Sequence, residues 1–206
     1  MNLKLIELLK QSRTLSGASL ARQSGISRQA LNKQIHTLRK HGAKIEGTPG
    51  SGYKWIAESD LLMEEEVALA LKTKKFGRPT QIFAQLDSTQ TRAKTLAGLG
   101  GKEGTVVLAE KQTSGRGRLN REWHSADGGL WFSILLRPAI QPSQVPQLPL
   151  IFSIAVADAL EKTGAVTCKL KWPNDVWLAP KKPKSKFKKV CGILSEMSAE
   201  SDKVNW

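Results

Sequence analysis

A single glycine does most to limit how this chain can fold. Gly25 lies in Ser24-Gly25-Ile26, between two short stretches that each carry one apolar stripe. Before it, Gly17–Gln23 fits a short helix with Ser16 as its N-cap. After it, Ser27 can cap a helix that runs to about Lys40, where Gly42 ends it. Leu31, Ile35 and Leu38 fall at i, i+4 and i+7, one buried stripe, while Arg28, Gln29, Asn32, Lys33, His36 and Arg39 occupy other faces. An earlier apolar face, Leu3, Leu5, Ile6, Leu8 and Leu9, makes a third helix. Two short helices around a tight glycine turn form a helix-turn-helix pattern. After Gly42, Ala43–Glu46 and Tyr53–Ile56 read as two strands, and the loop Gly47–Gly52 between them reads as a wing.

Charge places a polyanion at this end of the chain. The whole sequence carries +14. Residues 1–57 hold ten Lys or Arg against Glu7 and Glu46, a net +8. Residues 58–206 are +6, and six lysines between Lys181 and Lys189 account for all of it. The outer face of the second helix can enter a major groove, where Arg, Gln and Asn pair with base edges. Cys168 and Cys191 stand apart with no CxxC, so neither a zinc spacing nor a disulfide framework is expected. Lys4, Glu7 and Lys10 interrupt any leader core. The most apolar stretch, Leu148–Leu160, contains Ser153 and Asp158 and is short for a bilayer. The expectation is a cytoplasmic protein without a membrane partner.

The texture changes further on. Residues 58–80 read as a connecting segment, with a helix opening at Glu64-Glu65-Glu66 and running through Leu71. From Gln81 the pattern is strand and helix mixed: strands at Gln81–Leu86, Thr105–Glu110, Gly129–Leu136, Thr167–Lys171, Val176–Leu178 and Val190–Met197. Helices are expected at Thr89–Leu96, capped by Ser88, and at Leu148–Lys162, the latter well buried. Several strands with two covering helices predict a sheet packed on one face, an α+β arrangement. The division is residues 1–57, a winged domain; 58–80, a connector; and 81–206, a second domain.

Four segments carry chemistry. Gly115-Arg116-Gly117-Arg118-Leu119-Asn120-Arg121-Glu122-Trp123 has three arginines in six residues and no apolar period. Its glycines allow close backbone approach, and its arginines can surround phosphate. It is neither a P-loop nor a dinucleotide fingerprint. Read from composition alone, it is a mobile anion-binding loop or a solvated basic loop. Lys169-Leu170-Lys171-Trp172-Pro173-Asn174-Asp175 breaks a strand at Pro173; Lys171 can neutralise phosphate, and Asn174 and Asp175 can orient a metal ion or a sugar hydroxyl, or simply cap a turn. In Lys188-Lys189-Val190-Cys191-Gly192-Ile193-Leu194 a lysine leads a strand, with Gly192 leaving room beside it. Asp87-Ser88-Thr89 and Lys111-Gln112-Thr113-Ser114 offer hydroxyls and an amide suited to a neutral, hydrogen-bonding ligand, although caps and turns use the same residues.

The order DST, QTSGRGR…W, KWPND and KxxGIL resembles the bifunctional biotin–protein ligase and biotin-operon repressor family. The wing, as Gly50-Ser51-Gly52-Tyr53, resembles it too. The resemblance implies a winged helix-turn-helix joined to a mixed sheet like that of class II aminoacyl-tRNA synthetases. It implies an ATP-dependent, Mg2+-assisted ligase that makes biotinyl-5′-AMP, then biotinylates a lysine of a biotin carboxyl carrier protein. It also implies a ligand-dependent homodimer on operator DNA. For biotin it points to Ser88, Thr89, Gln112, Arg116, Gly117, Arg118, Trp123, Lys189 and Gly192. For ATP phosphate it points to Arg118, Arg121, Lys171, Asn174 and Asp175, with Arg118, Lys189 and Lys171 as catalytic residues. For operator reading the candidates are Ser27, Arg28, Gln29, Asn32 and Lys33. Gln90 stands where the family often has Asn, and the 179–188 loop is longer and more basic than the pattern leads one to expect. The family pattern continues past Trp206 with a strand bearing GxGxN and an SH3-like barrel, so an incomplete catalytic domain is expected. A DNA-binding biotin sensor without ligase activity and a lipoate-type ligase are the alternatives.

Overall fold

The computed structural model describes residues 2–11, 13–40, 42–48, 50–57, 62–164, 166–180 and 186–206. The expected connector start at 58–61 and residues 181–185, with three of the six lysines of the run, lie outside the described residues.

The N-terminal third builds its own core. Helices α1 (Leu3–Leu9), α2 (Gly17–Ser24) and α3 (Arg28–Lys40) precede the hairpin β1 (Lys44–Thr48) and β2 (Gly52–Ala57). Gly25 ends α2 in the left-handed region, φ 68° and ψ 31°, and its N–H reaches the carbonyls of Ala21 and Arg22. A side chain with a Cβ pays for that conformation, so the glycine fixes the turn. Ser27 Oγ accepts from Ala30 N at 3.1 Å and starts α3. Leu31, Ile35 and Leu38 then face inward onto Leu5, Ile6, Leu9 and Leu20. Leu15 pairs with Tyr53, adding a bridge to the hairpin.

Helix α4 (Glu64–Ala70) packs on this core with one side. Met63, 2% exposed, and Leu69 pack into the same cluster, and Glu66 pairs with Lys10 at 2.8 Å. The other side of the same segment meets the second domain. Glu64 Oε1 accepts from Ile82 N at 3.1 Å, and Leu62 N donates to Glu110 Oε1 at 3.3 Å.

The second domain holds two three-stranded sheets among the described residues. In the first, β3 (Thr80–Leu86) runs parallel to β4 (Val106–Gln112), and β5 (Trp131–Ile134) runs antiparallel to β4. Helix α5 (Thr89–Gly98) crosses between β3 and β4 and packs on β4 and β5. In the second, β6 (Cys168–Lys171), β7 (Asp175–Leu178) and β8 (Lys188–Gly192) form an antiparallel meander with α6 (Leu148–Gly164) against β6 and β7. The two-residue strands β9 (Ala199–Glu200) and β10 (Lys203–Val204) make a small hairpin.

Three expectations change. Helix α6 is not well buried: Ser153 is its buried residue, while Leu150, Ile151 and Ile154 are exposed, because β6 and β7 cover one flank. With the preceding turn, Pro142–Gly164 spans 23 residues at hydropathy 1.2, long and apolar enough by length and composition to cross a membrane. The thirteen-residue stretch had pointed the other way. Here the helix is a layer of the fold, tied down where Glu161 Oε1 accepts from Cys168 N at 2.7 Å. Strand β8 starts at Lys188 and stops at Gly192, and Val190 is exposed on it.

Candidate functional site

The parallel pair β3–β4 ends where α5 begins, and a cavity opens there. Its volume is about 270 Å³, and its wall includes Ser88, Thr89, Gln112, Arg116, Trp123 and Gly192. The reason for the grouping is topological. Leu86 and Gln112 are register partners, so both strands deliver their C-terminal residues to one place.

Ser88 caps α5 through Gln90 N at 3.2 Å and is 2% exposed. Thr89, 4% exposed, donates to Gln112 Oε1 from its N at 2.7 Å and from its hydroxyl at 3.0 Å. Gln112 Nε2 donates to Ser125 Oγ at 2.9 Å. Ser133 Oγ meets Thr89 Oγ1 at 3.0 Å and donates to Gln90 Oε1 at 3.1 Å. This is a buried, neutral network of hydroxyls and amides. A ligand with its own donors and acceptors can replace these bonds one for one, which charge alone would not achieve.

The cations stand at the edge of this network. Gly115 O accepts from Trp123 N at 2.9 Å, closing the 115–123 loop. A Cβ on Gly115 would lie 2.4 Å from Trp123 O and 2.6 Å from Ser125 Oγ, so only glycine fits. Leu119 and Asn120 both adopt positive φ, 57° and 55°. Such backbone is uncommon for non-glycine residues and marks a loop held in an unusual shape. Arg116 lines the cavity, and Arg118 Nη1 donates to Asn174 Oδ1 at 3.2 Å. Asn174 is itself fixed by its Nδ2, which donates to Ile193 O at 3.0 Å. Lys189 Nζ pairs with Asp175 Oδ1 at 2.7 Å and lies 4.8 Å from the centre of the Trp123 ring. Cys191 faces the same cavity, and its thiol is pushed up by burial, partly offset by Lys189.

Residues 82–205 match the biotin/lipoate A/B protein ligase family, and residues 2–54 match an HTH domain. The chain belongs to the biotin/lipoate A/B protein ligase family. It is 40% identical over 203 residues, 97% of this chain and 60% of the relative, to the bifunctional ligase/repressor BirA of Bacillus subtilis (strain 168). It is 34% identical over 201 residues, 97% of this chain and 59% of the relative, to the protein of the same name from Escherichia coli (strain K12). A solved biotin protein ligase from Aquifex aeolicus in complex with biotin and ATP is 37% identical at a TM-score of 0.48, covering 64% of this chain and 50% of that one. The chain thus spans about three-fifths of the length of the curated relatives it matches.

Within this ligase-family domain the structure gathers six of the nine biotin candidates in the cavity wall. Arg118 and Lys189 sit beside it through Asn174 and Asp175, and Gly117 lies in the closing loop with its N donating to Arg121 O at 2.7 Å. Asn174 and Asp175 hold Arg118 and Lys189 in this structure. Lys171 is not in the cavity wall; its Nζ lies over the Trp177 ring at 4.8 Å. Arg121 is exposed and contributes backbone to the loop. Ser125 and Ser133 belong to the network and were not singled out in the sequence; Gln90, noted there only as standing where the family often has Asn, joins them. For Ser133 a signal existed, a lone hydroxyl between Phe132 and Ile134 in an apolar strand. Ser125 carried none. Among the described residues no three His, Cys, Asp or Glu gather as a metal cluster.

On the winged domain, Arg28, Gln29 and Lys33 are exposed on one face of α3. Ser27 is exposed too, with its hydroxyl used in the cap. Asn32 is exposed, but its Oδ1 accepts from Tyr53 OH at 3.1 Å.

Proposed function

We propose that this chain belongs to an ATP-dependent biotin–protein ligase that is also a biotin-responsive repressor. The observation that carries the ligase reading is the cavity: a buried neutral network of Ser88, Thr89 and Gln112 next to Arg116, Arg118 and Lys189. A ligand with a neutral cyclic urea and a carboxylate matches that pairing, head inward and anion outward.

In the proposed reaction a biotin carboxylate oxygen attacks the α-phosphorus of ATP. The bond to pyrophosphate breaks, and a mixed anhydride, biotinyl-5′-AMP, remains. The neutral amine of an acceptor lysine on a biotin carboxyl carrier protein then attacks the acyl carbon. AMP leaves and the amine gives up a proton. Carboxylate and triphosphate repel, so the reaction needs preorganised positive groups where charge accumulates. Arg118 and Lys189 serve here, each held by a neighbour; Arg116 extends the positive edge. Lys171 and Arg121 lie farther out, as groups for the leaving phosphates. Magnesium enters this reading on the nucleotide phosphates. The 115–123 loop, closed by Trp123, excludes water from the anhydride.

The winged domain is proposed to bind operator DNA through Arg28, Gln29 and Lys33. A ligand-dependent homodimer would place two such helices about one helical turn apart. The cytoplasm fits Cys168 and Cys191, both free thiols.

The deciding measurement is biotin-dependent exchange of labelled pyrophosphate into ATP. Arg118→Ala and Lys189→Ala should each lower exchange by about 100-fold or more, as loss of one charge-stabilising donor does. A wild type that binds biotin and retards DNA but shows no exchange establishes the sensor alternative. A wild type that neither exchanges nor gains thermal stability with biotin plus ATP ends the reading.

A further inference from the structure

The recognition helix is bolted to the wing at two points. Near its start, Asn32 Oδ1 accepts from the hydroxyl of Tyr53 in β2 at 3.1 Å. Tyr53 is 3% exposed, so this hydroxyl is directed from the core toward the helix. Near its end, Arg39 spreads its guanidinium over β1. Its Nε donates to Ile45 O at 3.0 Å and its Nη2 to Gly47 O at 2.6 Å. Both acceptors are backbone carbonyls, one of them at the wing's bend. A planar fork presents its two nitrogens in a fixed, spread geometry for such a pair of bonds, which a single ammonium nitrogen does not.

We propose that Arg39 and Asn32 are positioning residues that set the angle between α3 and the wing. In this view neither reads DNA directly. Asn32 is among the operator-reading candidates of the sequence, and Arg39 is a cation on an outer face of the same helix. The geometry gives their polar atoms to the wing instead. Helix and wing must reach the duplex together, so an error in their angle costs affinity at both contacts at once. This inference deepens the DNA-binding reading and rests on it.

Salt dependence separates the two roles. A side chain that neutralises a phosphate contributes about 0.9 to the slope of log affinity against log salt. A positioning residue contributes little, although its loss weakens binding. The probe is a duplex selected by the full wild-type chain from a randomised pool. Arg39→Lys keeps the charge and should weaken binding at least tenfold. Arg39→Gln should weaken it similarly with a slope changed by less than half of the ~0.9 a phosphate contact gives. Tyr53→Phe, which removes only the hydroxyl, should also lower affinity with the slope kept. Lys33→Ala serves as the contrast, losing the full increment.

An Arg39→Lys variant that binds like wild type, or an Arg39→Gln variant whose slope falls by the full increment, makes Arg39 a phosphate contact and overturns the proposal. Amide hydrogen exchange in the wing reads the clamp without DNA. Arg39→Gln should speed exchange at residues 44–48 while α1 and α2 keep their protection; unchanged wing protection also overturns it. If the wild type selects no duplex, the DNA reading fails and the proposal with it. The exchange arm then still separates a mechanical clamp from none.

Discussion

At the scale of single residues, two glycines two positions apart make opposite demands. Gly115 is buried, and a methyl there would meet a carbonyl and a hydroxyl inside any ordinary contact distance. The carbonyl is backbone, so turning the serine hydroxyl away is not enough and the loop itself must move. Gly117 has its nearest neighbour at 3.5 Å, an ordinary contact. Gly115→Ala is therefore expected to cost about 1–3 kcal/mol of stability, as overpacking does, and to abolish biotin-dependent thermal stabilisation. Gly117→Ala should stay within about 0.5 kcal/mol. Thermal melts with and without biotin check both, and equal effects at the two positions would mean the loop is not closed as described. The sequence made the glycines and arginines legible because few roles need that combination. It left their partners hidden. Arg118 and Asn174 are 56 residues apart, and nothing local announces that one holds the other.

At the scale of elements, periodicity served well wherever one face alone is buried. The stripe Leu31, Ile35 and Leu38 predicted both α3 and its docking. It served poorly where the apolar residues run all round. Helix α6 is such a case: its run of Leu, Ile, Phe, Ala and Val does not say which flank is covered, and burial was overstated. Exposure at Ile151 and Ile154, 56% and 54%, has a measurable consequence. Each replacement by lysine should change stability by no more than about 0.5 kcal/mol, as for surface positions generally. The double variant should also self-associate less in light scattering, because it breaks an exposed apolar patch. A loss of about 2 kcal/mol or more in denaturant melts would place these side chains against a partner and refute the exposure. The expected strand Val190–Met197 differs for a related reason: its apolar residues continue through Leu194, but the chain leaves the sheet after Gly192, where Asn174 captures Ile193 from both sides.

At the scale of the whole molecule, the question is how a winged helix-turn-helix unit and a cavity come to share one chain. Helix α4 is the physical answer. It has seven residues, too few to hold a helix unaided. Its N-terminal turn carries Glu64, Glu65 and Glu66, favourable for the dipole. One side belongs to the winged core through Met63 and Leu69, and the other meets β3 through Glu64. Its C-terminal end is closed by Arg78, whose Nη2 donates to Leu71 O at 3.0 Å and Ala68 O at 3.3 Å, with Nε on Thr73 O at 2.9 Å. Arg78 stands two residues before β3, the strand that runs directly to Ser88. The helix thus depends on both units, and Arg78 is the fork that ties its end to the second. Scanning calorimetry of the wild type should give one merged unfolding transition. Arg78→Ala should split it in two, the winged unit keeping its midpoint and the cavity-bearing unit falling, since α4 stays with the core that buries Met63. Arg78→Lys should fall between, having the charge without the fork. Two well-separated transitions already present in the wild type would show that α4 belongs to one unit alone and transmits nothing to the cavity.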